Sequence, residues 1–141
     1  MVIGFSSLVF SYSMATGLDN LWIYNLAEDL EIEVHNLTKK FPRDEFYRSV
    51  DQLRRSSAAV ANNIAEAYHK TTTKEKIRFL DIALGEAEET KRNLKKSYRK
   101  EFLIERDYQK IFNEYTVLMK GIFAFSRFLL ASNLKPKHKT R

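Results

Sequence analysis

From Ile23 to Leu129 the apolar residues of this chain recur, segment after segment, at alternating steps of three and four. No other feature limits its fold as strongly. That spacing gathers side chains on one face of an α-helix, whereas a strand would scatter them over both faces. The residues that would interrupt such a pattern are scarce, with two prolines and four glycines in 141 residues. Turn-rich β architectures and glycine-rich phosphate loops are excluded on the same ground.

Four segments carry the pattern. The first runs from about Asp19, a candidate N-cap, to Lys39 or Lys40, with Ile23, Leu26, Leu30, Val34, Leu37 and Phe41 on its seam. Pro42 ends it, because the residue before a proline avoids the α region. The second spans Asp44 to His69 with a seam of Phe46, Val50, Leu53, Ser57, Val60, Ile64 and Ala67. The small side chains from Ser56 to Ala61 let a neighbouring helix come close. The third spans Lys74 to Lys100, with Ile77, Leu80, Leu84, Ala87, Lys91, Leu94 and Tyr98 on the seam and Phe79, Ile82 and Ala83 beside it. Thr72 or Thr73 is placed to cap it, and Thr72 with Glu75 has capping-box spacing. The fourth spans Glu105 to Asn133, with Tyr108, Ile111, Tyr115, Leu118, Ile122, Phe125 and Leu129 on the seam. A second stripe of Phe112, Met119, Phe123 and Leu130 makes this face wider than one bundle seam needs.

Long amphipathic helices with short connections predict an all-α, antiparallel up-down-up-down four-helix bundle over residues 17–133. Residues 1–16 carry no charged side chain and read as a mobile or loosely docked extension upstream of a second candidate start, Met14. A secretory signal would need a basic residue before its apolar stretch, and the first Lys or Arg is Lys39. Residues 134–141 read as a basic, disordered tail. No uninterrupted run of 18 apolar residues occurs, so no membrane span is expected.

The chemistry available is limited. The chain has no cysteine, which excludes disulfides, thiolate zinc sites and a cysteine nucleophile, and fits the reducing cytoplasm in which we expect it. Glu66-Ala-Tyr-His69 is an E-x-x-H motif on a helix. Di-iron bundle proteins use two such motifs and two further glutamates, and neither His35 nor His138 has a Glu three residues before it. Local pairing of Glu66, and a His69 that complements the end of helix two, are the expected roles. Ser56 and Ser57 read as packing residues with hydroxyls bonded to the preceding turn. No catalytic residue, metal or cofactor is expected.

Charge is more informative. The net charge is +6, unevenly spread. Helix one carries Asp19, Glu28, Asp29, Glu31 and Glu33, with no base before Lys39. Residues 91–100 carry six bases and no acid. Two readings compete. In one, the acidic face of one helix meets the basic face of another, within or between subunits. In the other, Lys91, Arg92, Lys95, Lys96, Arg99 and Lys100, with Lys135 and Lys137 of the tail, form a phosphate-binding surface with the salt dependence that follows. Arg54, Arg55, Asn62 and Asn63 sit among small residues on helix two, where polar groups set register or partner choice at a helix interface.

The text of helix two also carries a resemblance. Gln52-Leu-Arg-Arg-Ser-Ser-Ala-Ala-Val-Ala-Asn-Asn-Ile-Ala-Glu66 resembles the signature of the four-helix-bundle proteins encoded in intervening sequences of bacterial 23S ribosomal RNA. Gln52, Leu53, Arg54, Arg55, Val60, Asn63, Ile64, Ala65 and Glu66 match that pattern. Arg78-Phe-Leu-Asp-Ile-Ala-Leu-Gly85 is similar to the family's second signature, and Leu37 to Pro42 to its link between helices one and two. The likeness covers residues 18–130. Ala67 stands where the family has Gly, and Glu86-Ala87 where it has Ser-Leu. The resemblance implies a left-handed bundle that assembles into a homopentameric ring. It also implies binding to RNA or DNA, and a partner protein such as a reverse transcriptase. Under it, Arg54, Arg55, Asn63 and Glu66 lie at a subunit contact or the ring's central channel, and Asn62, Phe112, Met119 and Phe123 join that candidate interface. The alternative is an oligomeric protein-interaction scaffold that binds no nucleic acid.

Overall fold

The structure, a computed structural model, describes residues 17–134. After a 3-10 turn at Leu18–Asn20 come four α-helices: α1 (Trp22–Thr38), α2 (Asp51–His69), α3 (Thr73–Arg99) and α4 (Glu105–Asn133). Among the described residues there is no strand. Each helix packs on the next, and α1 also packs on α4, closing the bundle.

Cross-helix contacts give the direction of each pair. Between α2 and α3, Thr90 donates to Ser56 at 2.8 Å while Lys76 Nζ donates to the Tyr68 carbonyl at 3.0 Å, so the helices run antiparallel. Between α3 and α4, Tyr98 stacks on Tyr108 with centroids 4.7 Å apart, and Lys91 lies over Phe112. Between α1 and α4, Lys110 bonds to Glu33, and Gly121 passes Trp22 and Ile23. A Cβ at Gly121 would overlap the Trp22 ring and stand 2.9 Å from Ile23 Cγ2, so a larger residue would have to displace both side chains.

The core is what the spacing dictates. Ile23, Leu30, Val34, Leu53, Val60, Ile64, Leu80, Leu94, Ile111, Tyr115, Leu118 and Ile122 are fully buried. The Thr72 hydroxyl accepts from the Glu75 amide at 3.2 Å, capping α3 as its sequence indicates. Several local details differ. Asp19 does not cap α1; Leu21 holds that position without a side-chain bond, because Asp19 falls inside the preceding 3-10 turn. Phe46 is off the seam and 51% exposed. The chain from Phe46 to Val50 forms a π turn, whose wider winding rotates Phe46 outward and leaves Glu45 and Val50 buried. Ile82 faces outward as well. Helix α4 is, by length and composition, apolar enough to cross a membrane, which counting uninterrupted apolar runs does not reveal. One side of it nonetheless lines the bundle core.

The interior also contains polar groups. Thr90, Asn93 and Ser97 are buried on α3 toward α2. Among the described residues, Asn93 Nδ2, Ser97 Oγ, Ser126 Oγ and the Tyr115 hydroxyl find no hydrogen-bond partner. Burial holds the Tyr115 phenol far above its ordinary pKa, with Glu31 and Glu33 adding to the shift. A buried hydroxyl without a partner costs about 1–3 kcal/mol. Replacing Tyr115 by Phe keeps the ring and removes that cost, so Tyr115→Phe should raise stability in denaturant unfolding by about 1 kcal/mol. A loss of that size would mean that the hydroxyl is bonded.

Candidate nucleic-acid interface

The second half of α3 must bury Leu94 and half-bury Tyr98, which turns the opposite side of the helix to solvent. Arg92, Lys95, Lys96 and Arg99 occupy that side at spacings of three and four and are all exposed. Among the described residues, no carboxylate lies within ion-pair distance of any of them. The six bases of this segment therefore divide. Lys91 is half-buried, with Nζ 4.5 Å from the centroid of the Phe112 ring. Lys100 turns back to Glu45 at 3.7 Å and lies 5.9 Å from the Phe102 ring. Lys135 and Lys137 fall outside the described residues.

Among the described residues, the acidic side of α1 makes no ion pair with this row. Its nearest cationic partner is on α4: Lys110 Nζ donates to Glu33 at 2.8 Å, which raises the lysine pKa, and lies 3.9 Å from Glu114.

The row ends at a corner where α3 meets the start of helix two. Glu45 is buried there, accepts a 2.6 Å bond from Ser49 and faces Lys100. The Ser49 bond, then the Lys100 charge, hold its carboxyl below the usual range against the opposing effect of desolvation. At the end of α3, Glu101 adopts φ 66°, a left-handed position usually given to glycine, and the Phe102 amide bonds back to the Ser97 carbonyl at 3.0 Å.

The residues marked as a subunit contact or channel divide between two helices: Arg55, Asn62 and Glu66 share an exposed side of α2, and Phe112, Met119 and Phe123 are on α4. Arg54 turns toward α1, where Nε donates to Thr38 Oγ1 at 2.9 Å. Arg55 points away and lies 3.5 Å from Asp51. Asn62 is exposed, Asn63 bonds to the Ala59 carbonyl at 2.7 Å, and Glu66 lies 3.6 Å from Lys70. Phe112 and Met119 are half-buried, whereas Phe123 is 55% exposed. His69 occupies the last turn of α2 against Tyr68. Among the described residues, no three His, Asp or Glu side chains are grouped to hold a metal ion. The sequence pattern places Phe46 on the helix-two seam and gives Tyr47 no role, yet both are exposed at the bundle end; the signal is two adjacent aromatics between Arg43 and Arg48.

These features define an antiparallel helical bundle with a row of exposed bases, unpaired among the described residues, along α3. Residues 19–124 match the family of 23S rRNA-intervening sequence proteins, and the chain belongs to that family. It is also similar to the crystal structure of a protein of unknown function from the S23 ribosomal protein family of Bacteroides thetaiotaomicron. That chain is 25% identical, with a TM-score of 0.70 over 74% of this chain and 98% of the other. No curated protein matches the chain.

The corner at Glu45 makes a pH-dependent contribution to stability. A carboxyl whose folded pKa is depressed stabilises the fold above its unfolded pKa and loses that contribution as the pH falls through the folded value. Glu45→Gln should therefore lower the melting temperature at neutral pH, with the difference from wild type closing in acid. A difference that does not vary with pH would contradict the ion-paired carboxylate.

Proposed function

We propose that this chain is a non-enzymatic, self-assembling helical bundle that binds nucleic acid, structured RNA in particular, through phosphate contacts with little sequence preference. One observation carries the reading: among the described residues, the exposed row Arg92, Lys95, Lys96 and Arg99 has no carboxylate within ion-pair distance. Lysines and arginines in a regular row match a chain of phosphates. The net charge of +6 favours the same class of partner.

Self-assembly is supported by apolar surface. Val117, Phe123, Phe128 and Leu130 of α4 are each about half exposed or more. A ring of five copies is what the family resemblance implies, in the cytoplasm. The same surface favours the second reading, an oligomeric scaffold that recruits a protein and binds no RNA.

Reversing three charges separates the two. In Lys95→Glu, Lys96→Glu, Arg99→Glu, RNA affinity at about 0.15 M salt should fall at least a hundredfold while the assembly keeps its mass, because each lost phosphate contact also removes counterion release. Wild-type protein that retains no RNA under those conditions would leave the scaffold reading standing.

A further inference from the structure

We propose that the bundle end formed by the α1–α2 and α3–α4 connections holds unpaired bases of a single-stranded nucleic-acid segment. Tyr47 and Phe46 are the stacking surface, and Lys39, Arg43 and Arg54 are the phosphate contacts. The inference rests on the nucleic-acid reading above and adds which part of the polymer meets this end.

The first observation is exposure that folding does not require. Tyr47 is 87% exposed and Phe46 51% exposed, side by side with ring centroids 4.9 Å apart and planes at 89°. Rings this exposed contribute little to the core. They are turned outward by the π turn over Phe46–Val50, a distortion that recurs at functional sites. The second observation is the cleft beneath them, of about 400 Å³, lined by Lys39, Phe41, Arg43, Phe46, Tyr47 and Arg54 among others. That volume lies within the range of small-ligand clefts, roughly 300–1,000 Å³. Its floor is apolar and its rim cationic, the combination that a base and its phosphate require.

The third observation is charge. Lys39, Lys40, Arg43, Arg48 and Arg54 cluster here, and among the described residues none of them is in an ion pair. Of the nearby acids, Glu45 is buried against Ser49 and Lys100 and Asp51 lies 3.5 Å from Arg55, while Asp44 and Glu101 are exposed. Arg54 is held in place by its bonds to Thr38 and the His35 carbonyl, which leaves guanidinium donors to spare. Finally, the cleft adjoins the basic row. Phe41 packs on Phe102 with centroids 5.3 Å apart, and Lys100 reaches Glu45, so the row on α3 and the cleft share one end of the bundle. A strand whose phosphates follow α3 reaches the aromatic pair when it passes that end.

The test uses the full chain, a blunt-ended RNA hairpin, and the same hairpin with a short unpaired extension, each fluorescently labelled, at about 0.15 M salt. Stacking on one aromatic side chain is expected to account for at least about a fivefold change in affinity. Tyr47→Ala should weaken the extended hairpin by that much or more and leave the blunt hairpin within about twofold; Tyr47→Phe should behave as wild type. Equal effects of Tyr47→Ala on both RNAs, or none on either, overturn the stacking site while the α3 interface stands. A change in oligomer mass in Tyr47→Ala also overturns it, since the pair would then be a contact between copies. Wild-type protein that binds neither hairpin sinks the nucleic-acid reading itself.

Discussion

The close approach of α2 and α3 sets the rest of the molecule. Ser56 on α2 meets Thr90 on α3, and Ala83 and Ala87 share the face of Thr90, all small and all buried. Small residues let the two backbones come together, and the 2.8 Å bond from Thr90 to Ser56 fixes how far one helix slides along the other. With that register fixed, Leu94 must point into the core between its neighbours. Arg92, Lys95, Lys96 and Arg99 are then the residues left on the outside. The positive row follows from how α3 is buried, and no separate element displays it.

Most of the fold was legible because burial in a bundle is periodic. The four helices, the α3 cap at Thr72 and the full length of α4 all follow from apolar spacing and capping chemistry. The misreadings occur where the period changes. A π turn moves Phe46 off the seam and puts Glu45 inside, and a regular helical wheel has no means of showing that. Asn93 and Ser97 were passed over because polar residues on a charged helix read as exposed, although the helix rotates them toward α2.

The candidate site was legible in part. The basic run on α3 stands out in the sequence, but which bases are free depends on tertiary contacts. Lys91 settles over Phe112 and Lys100 over Phe102 and beside Glu45, while the other four face solvent. The helix-two signature identifies the family, yet its two arginines diverge, Arg54 to α1 and Arg55 to Asp51. One short motif therefore serves two surfaces. A basic row on α3, exposed apolar side chains on α4 and an aromatic cleft at one end share one small bundle. Each of them lies outside the core that holds the helices together.

The most direct test of the central claim, an assembly that carries nucleic acid, is the mass of the purified full chain by light scattering during size exclusion, with absorbance read at 260 and 280 nm across the peak. The account predicts a multiple of the 16.6 kDa chain mass with nucleic acid eluting in the same peak. A 16.6 kDa monomer with the absorbance ratio of protein alone would contradict it.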